Sequence, residues 1–309
     1  MNTPPSGSVS LPRSIVVGYD AESMADAAVL QAHELARLFD ARLEIVHAFG
    51  STAFSSEVPV DPADAARGDT PLARANEVML ARTAKLLGEA RGGRARAEEI
   101  LRVVPGQPAA VLLERARAVG ADLIVMGALR LRPIFDFGST ARAVLARATS
   151  AVWVQPCPPA PVKRVLVAVD LSRESLRALD MAVAFARRVG ASVRVLHAFD
   201  VTPVALDPWG GMAGYSVIET MRTDSNAEFR RVMDAYPWDG LPHECRTEDG
   251  PPAQRILDHA RESDLVALGT HGRTGFAAAV LGSVAYDVLR HSPKPVLVVR
   301  DPERRFVDD

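Results

Sequence analysis

The chain contains one internal repeat of domain size. Residues 15–49 align without a gap with residues 165–199, at a constant offset of 150 positions. Ten positions are identical, among them Asp20 with Asp170. The match resumes further along the chain and ends, in both copies, at a Gly-Ser pair followed by a helical pattern. A repeat of this length indicates a duplicated domain and not a solenoid.

The repeat divides the 309 residues into two domains of ordinary size. We predict a first domain over residues 13–157 and a second domain over residues 162–301. Residues 155–161 contain four prolines, which are typical of a stiff, extended linker.

Each copy alternates short apolar runs with amphipathic helical stretches such as Ser23–Phe39. Runs without polar alternation are typical of parallel strands that are buried on both faces. The predicted strands are 14–18, 43–48, 123–127 and 151–154 in the first copy, and 165–169, 193–198, 265–269 and 295–299 in the second. A fifth strand is predicted over 96–104, with its counterpart over 246–248. This order predicts an α/β, Rossmann-like fold: two tandem five-stranded parallel sheets with helices on both faces.

Composition excludes several classes of protein. The net charge is −2, so the basic excess of a dedicated nucleic-acid binder is absent. No apolar run is long enough to span a membrane, and the first residues lack the pattern of a secretory signal. The two cysteines, Cys157 and Cys245, have no zinc-binding spacing. We expect a cytoplasmic protein with neither nucleic acid nor membrane as a partner.

The candidate site follows the fourth strand of the second copy, because ligands of such sheets bind beyond the carboxyl ends of the strands. Gly269, Gly272 and Gly282 form a spaced glycine set there. Glycines let backbone N–H groups approach an anion closely. Gly282-Ser283 precedes a predicted helix over 284–290, whose N-terminus favours a phosphate.

Four side chains suit the same ligand. His271 and Arg273 can donate hydrogen bonds to phosphate, and Ser283 can add its hydroxyl. Asp170, at the end of the first strand of this copy, can accept from an adenine amino group or from ribose hydroxyls. The sequence therefore predicts a triphosphate site that needs no Walker lysine.

The glycine spacing, the following helix and the closing Pro-Val-Leu-Val-Val resemble the nucleotide-binding signature of the universal stress protein family. The resemblance covers both copies, so the chain resembles a tandem member. It implies ATP or another adenine nucleotide, with Mg²⁺ held by the phosphates. It also implies these contacts: Ala168, Asp170, Ala198, Leu268 and Gly269 for adenine and ribose, and His271, Gly272, Arg273, Gly282, Ser283 and Val284 for the phosphates.

Members of the family often dimerise through their last strands. By this resemblance, the segments 151–155 and 295–300 would pair within the chain and form a pseudo-dimer, which would cover two sheet edges. A further homo-oligomer stays open.

The first copy departs from the signature. Arg130 stands where the second glycine should be, and the loop is two residues shorter. A side chain there obstructs the approach of phosphate to the backbone, although Arg130 and Arg132 can still meet phosphates. We interpret the motif of the first domain as degenerate and that of the second as intact.

Some of these residues have structural alternatives. Asp20 and Asp170 can instead cap the helices that follow them. His47 and His197, at strand ends, are predicted to pack or to form hydrogen bonds, not to bind a ligand. Residues 201–218 are predicted to be a connecting segment, with a lid over the ligand as the alternative.

The sequence lacks the dinucleotide fingerprint in its first turns, and it lacks the nucleophile-elbow, zinc-protease and Walker patterns. We therefore predict no catalytic residue and no metal ligand. The favoured function is a stress-response regulatory protein that binds an adenine nucleotide and is read by a protein partner. The alternatives are a scaffold protein with an incidental nucleotide and a slow ATP hydrolase.

Overall fold

The structure is a computed structural model that describes residues 11–20, 23–50, 70–88, 93–128, 138–200, 211–270 and 281–300. The helical residues 23–24 and 211–217 are described by their backbone alone. The chain divides into two compact units, one from Pro12 to Pro159 and one that contains the residues from Ala160 onward. We call these units the first and the second domain.

The first domain contains five parallel strands in the order β3-β2-β1-β4-β5. Described helices connect them. The elements are β1 (Ser14–Gly18), α1 (Ser23–Phe39), β2 (Arg42–Phe49), α2 (Pro71–Leu87), α3 (Gly93–Ile100), β3 (Leu101–Pro105), α4 (Pro108–Ala118), β4 (Leu123–Gly127), α5 (Ser139–Arg147) and β5 (Ala151–Gln155).

The second domain repeats this arrangement, with parallel strands in the order β10-β9-β6-β7-β8. Its elements are β6 (Arg164–Ala168), α6 (Arg173–Val189), β7 (Ser192–Phe199), α7 (Gly211–Asp234), β8 (His243–Asp249), α8 (Pro252–Ala260), β9 (Leu265–Gly269), α9 (Ser283–His291) and β10 (Val296–Val299).

The apolar runs form the central strands, as predicted. In β6, Val165, Leu166 and Val167 are fully buried, and β9 beside it is buried equally well. Complete burial of one such side chain stabilises the fold by about 1.5–3 kcal/mol. The predicted α/β class with two domains of parallel strands and flanking helices is thus confirmed, with half of the strand ends shifted by one residue.

The strand predicted over 96–104 is wrong in its first half. Gly93–Ile100 is a helix, and β3 begins only at Leu101. Ala97 and Ile100 are buried at helical spacing, and Arg94 pairs with Glu98 one turn away, N–O 3.2 Å. The described part of the first domain therefore has two helices between its second and third strands, where the predicted order has one.

The connecting segment predicted over 201–218 is also wrong in part. Residues 211–218 form the start of α7, while residues 201–210 lie outside the described residues. Gly211 and Gly214 suggest a loop by their low helix propensity. These glycines are nevertheless helical. The C-terminal half of α7 is anchored by Phe229 and Met233, which are buried one turn apart, and the helix extends from there back to Gly211.

Replacing Thr83 with valine should stabilise the first domain. Thr83, on α2, is completely buried, and its hydroxyl has no hydrogen-bond partner within the described parts of the chain. Removing a buried, unsatisfied hydroxyl while keeping the shape should raise the free energy of unfolding by about 1 kcal/mol. Chemical denaturation would measure the change. The matched variant Thr83→Ser keeps the hydroxyl and loses the methyl group, so it should shift stability in the opposite direction. A valine variant less stable than the wild type would contradict this account of the site.

Of the helices that the structure describes, none is both long and apolar enough to cross a membrane.

Candidate functional site

The order of strands in the second domain reverses between β6 and β9. From β6 the chain continues outward through β7 and β8, and then returns to form β9 on the other side of β6. Parallel register aligns these strands, with Val167 opposite Ala267. The carboxyl ends of β6 and β9 therefore flank the position at which open α/β sheets bind ligands.

Asp170 lies in a tight turn directly after β6. Its Oδ1 accepts hydrogen bonds from the backbone N–H and the hydroxyl of Ser172, at 3.0 and 2.6 Å. Ser172 in turn accepts from the N–H of Ser175 and is the N-cap of α6. Between them, Leu171 has a φ of 66°, a left-handed conformation that leucine rarely adopts. Asp170 thus supports the helix cap without being the cap itself.

Gly269, at the end of β9, lies against the first turn of α6. A Cβ atom at this position would be 2.8 Å from the Cβ of Glu174 and 2.9 Å from the backbone nitrogen of Ser175. Ser175 also accepts a hydrogen bond from the N–H of Asp170, at 3.3 Å. Gly269 and Asp170 consequently both contact Ser175. The close approach of Gly269 to this serine is possible because residue 269 has no side chain.

The two ends of the glycine-rich loop meet at the same edge. The carbonyl oxygen of Thr270 accepts from the N–H of Gly282 at 2.9 Å, and the N–H of Thr270 donates to Val299 at 3.0 Å. Gly282 is the N-cap of α9, with φ −59° and ψ 148°. Glycine has no side chain that could accept from the first-turn N–H groups of Ser283 and Val284. Such N–H groups, together with the helix dipole, favour an anion.

The structure brings the described members of the predicted site to one edge of the sheet. Ala168 ends β6, Ala198 is the penultimate residue of β7, and Leu268 lies in β9 just before Gly269. Ser283 is exposed, whereas Leu268 is buried. His271, Gly272 and Arg273 lie outside the described residues.

Both domains place a buried histidine at the end of their second strand. His197 lies 2.7 Å from the carbonyl oxygen of Val169 through Nδ1, and His47 lies 2.8 Å from that of Tyr19. A carbonyl can only accept, so Nδ1 carries the proton in each ring. Burial lowers the pKa of His47. Both histidines therefore form hydrogen bonds, as predicted.

The first domain repeats the glycine-capped helix but has different side chains after its first strand. Gly138 is the N-cap of α5, with φ −49° and ψ 148°, nearly the geometry of Gly282. Tyr19 is buried, and its hydroxyl donates to Asp26 at 2.7 Å; Arg82 pairs with the same carboxylate at 3.5 Å. Burial and Asp26 raise the pKa of Tyr19. Val169 and Leu176, at the corresponding positions of the second domain, are apolar. Arg130 and Arg132 lie outside the described residues.

A separate cavity of about 290 Å³ lies between α7 and β8. Phe229 and Met233 form its apolar wall, and Cys245 reaches it from the strand. Cys245 is exposed on one side, and desolvation on the other side together with the nearby Asp234 raises the pKa of its thiol to about 11. Within the described ranges, no group of three His, Cys, Asp or Glu side chains could hold a metal ion.

Sequence reasoning missed Ser172 and Ser175, which fix the turn at Asp170. A signal was present, since a serine directly before an apolar, helix-periodic segment is a common N-cap. It also missed Ser225, whose hydroxyl lies 2.9 Å from Nε2 of His197. No local pattern links these two residues, which are 28 positions apart.

The fold and the site define a tandem α/β protein, with a glycine-capped helix at the carboxyl edge of the sheet in each domain. Comparison with known proteins identifies the family. The universal stress protein family model matches twice, over residues 12–156 and 161–300. The chain therefore belongs to the universal stress protein family and carries two of its domains in tandem.

Individual relatives agree with this assignment. A universal stress protein of Mycolicibacterium smegmatis is 29% identical over 298 residues, which cover 93% of this chain and 96% of the relative. One of Methanocaldococcus jannaschii is 30% identical over 145 residues, or 46% of this chain and 84% of the relative. A crystal structure of a universal stress protein from Archaeoglobus fulgidus shares the fold at a TM-score of 0.61 and 18% identity, covering 93% of this chain and 98% of that one. The chain is thus a stress-response protein by family.

Proposed function

We propose that the second domain binds an adenine nucleotide, with ATP and Mg²⁺ as the favoured ligand, and that the bound nucleotide regulates the protein. The observation that carries this proposal is the junction of β9 and α9. There the bond from Gly282 to Thr270 brings a glycine-capped helix to the strand end beside Asp170. The glycine spacing of the universal stress protein signature begins and ends at this junction.

Each part of the nucleotide has a matching group. First-turn N–H groups of Ser283 and Val284 would hold phosphate oxygens at the positive end of the α9 dipole. Asp170 would accept from the ribose or the adenine amino group, because a carboxylate has about four acceptor sites and can hold Ser172 and a ligand together. Ala198, which is partly exposed, would provide apolar contact with the base, whereas Leu268, whose side chain is buried, would contribute through its backbone. Mg²⁺ would be held by the phosphates, whose charge it neutralises.

The proposal extends to regulation. A universal stress protein with one nucleotide site can present different surfaces with and without ligand, and a protein partner can read the difference. We assign no catalytic residue. Regulation of this kind requires that the stress response depend on nucleotide binding, whereas a scaffold function requires only the surface of the protein.

Calorimetric titration of the full chain with ATP and Mg²⁺ tests the binding. We expect saturable binding of ATP, and binding of inosine triphosphate that is weaker by about tenfold, because inosine lacks the amino group that a carboxylate acceptor recognises. A chain that binds neither nucleotide would contradict the proposal. Equal binding of both would contradict the role of Asp170 in recognising the amino group.

A second experiment separates regulation from scaffolding. Cells that express a folded variant unable to bind nucleotide should lose protection from stress if the nucleotide regulates the protein. Protection that persists in such cells would favour the scaffold function.

A further inference from the structure

His197 lies between the candidate site and helix α7. Its Nδ1–H donates to the carbonyl oxygen of Val169, the residue that directly precedes Asp170. With Nδ1 protonated, Nε2 of the neutral ring accepts from the hydroxyl of Ser225 on α7 at 2.9 Å. The imidazole also stacks on Phe229, with ring centroids 5.1 Å apart and an angle of 12° between the rings. Three contacts therefore fix one ring that is almost completely buried.

The turn that His197 contacts contains a strained residue. Leu171 adopts a φ of 66°, which persists only where the surroundings hold the backbone. Two hydrogen bonds hold the backbone of this turn. On the helix side, the N–H of Asp170 donates to the hydroxyl oxygen of Ser175, and on the strand side, His197 donates to the carbonyl oxygen of Val169. The conformation of the turn decides where the Asp170 carboxylate lies.

We propose that His197 is a positioning residue of the nucleotide site, which orients Asp170 through the carbonyl of Val169 and is itself held by Ser225 and Phe229 of α7. This inference rests on the proposed function. It gives a role to a buried histidine whose contacts are with Val169, Ser225 and Phe229. It also connects the part of the site that recognises the nucleoside with α7, whose Arg222 is paired with Asp249 at the carboxyl end of β8, N–O 2.8 Å.

The repeat supplies a matched control for this proposal. His47 makes the corresponding bond to Tyr19 in the first domain, at almost the same distance. Replacement of either histidine with leucine removes a buried donor from a strand-end carbonyl, so both variants should lose stability, and the second-domain variant should lose more because it also loses the bond to Ser225. Only the second-domain variant should lose affinity for the nucleotide.

The test compares two ligands on the full chain: ATP, which contains the nucleoside, and inorganic tripolyphosphate, which does not. We expect His197→Leu to weaken ATP binding about tenfold, the effect of one lost hydrogen bond, and to leave tripolyphosphate binding unchanged. His197→Asn, whose amide can replace the Nδ1 donor, should restore ATP affinity to within about threefold of the wild type. Ser225→Ala should give an intermediate loss, and His47→Leu should give none.

Other results would overturn the proposal. Wild-type ATP affinity in His197→Leu shows that the residue does not position the site. A parallel loss of ATP and tripolyphosphate indicates general damage, as does an equal loss in His47→Leu. Failure of the wild type to bind ATP refutes the proposed function as well, whereas the preceding results refute only the role of His197.

Discussion

The Gly282→Asp variant is expected to lose nucleotide binding while its fold becomes slightly more stable. Aspartate is a better N-cap than glycine, by a few tenths of a kcal/mol, and the backbone at φ −59° and ψ 148° accepts any residue. Its carboxylate would take up the first-turn N–H groups of α9 and repel phosphate. We expect ATP affinity to fall at least about a hundredfold, equivalent to about 2.7 kcal/mol. Titration and thermal unfolding of the same preparation measure both effects.

The matched control is Gly138→Asp in the first domain. Gly138 caps α5 with almost the same backbone angles, so the gain in stability should be similar. Since Arg130 stands at the position of the second glycine in the first domain, we expect ATP binding by this variant to equal that of the wild type. Retained ATP binding in Gly282→Asp would contradict the assignment of the phosphates to the α9 N-terminus. Lost binding in Gly138→Asp would place a nucleotide in the first domain.

The Gly269→Ala variant is expected to destabilise the second domain strongly. The new Cβ would lie 2.8 Å from the Cβ of Glu174 and 2.9 Å from the backbone nitrogen of Ser175, so the first turn of α6 must move. Overpacking of this kind costs about 1–3 kcal/mol. Because Ser175 also holds the turn at Asp170, ATP binding should weaken with the loss of stability. Denaturant unfolding and titration of the full chain measure the two changes.

Gly18→Ala is the control for an added methyl group at a strand end. Its Cβ would lie 3.1 Å from a terminal methyl group of Leu112, which is a looser contact than those at Gly269 and involves the end of a side chain instead of the backbone. The second domain already has alanine, Ala168, at the corresponding position. We expect a change below about 1 kcal/mol. Equal effects of the two substitutions would contradict a specific close contact at Gly269.

The sheet could be predicted from the sequence because its signal is local. Strands such as β6 and β9 are continuous apolar runs, and such runs without polar alternation are typical of parallel strands buried on both faces. Because the sequence is repeated, the same order of strands and helices could be predicted for both domains. The carboxyl edge followed from a general rule of parallel sheets, so Asp170 and Gly282 could be brought together without coordinates.

Errors arose where tertiary contacts override local preference. The helix Gly93–Ile100 is short and highly charged, and its helical period is visible only once Ala97 and Ile100 are known to be buried. The start of α7 contains glycines that favour a loop. The bond between His197 and Ser225 joins a strand to a distant helix face, and a single sequence gives no pattern for it.

The most direct test of the account is the amount of nucleotide in the freshly purified protein. Denaturing the chain and quantifying the released nucleotide by chromatography gives a number per chain. We expect one adenine nucleotide per chain, absent from Gly282→Asp and present in Gly138→Asp. Two nucleotides per chain would contradict the degenerate motif of the first domain. No nucleotide, together with no ATP binding in the presence of Mg²⁺, would contradict the nucleotide site altogether.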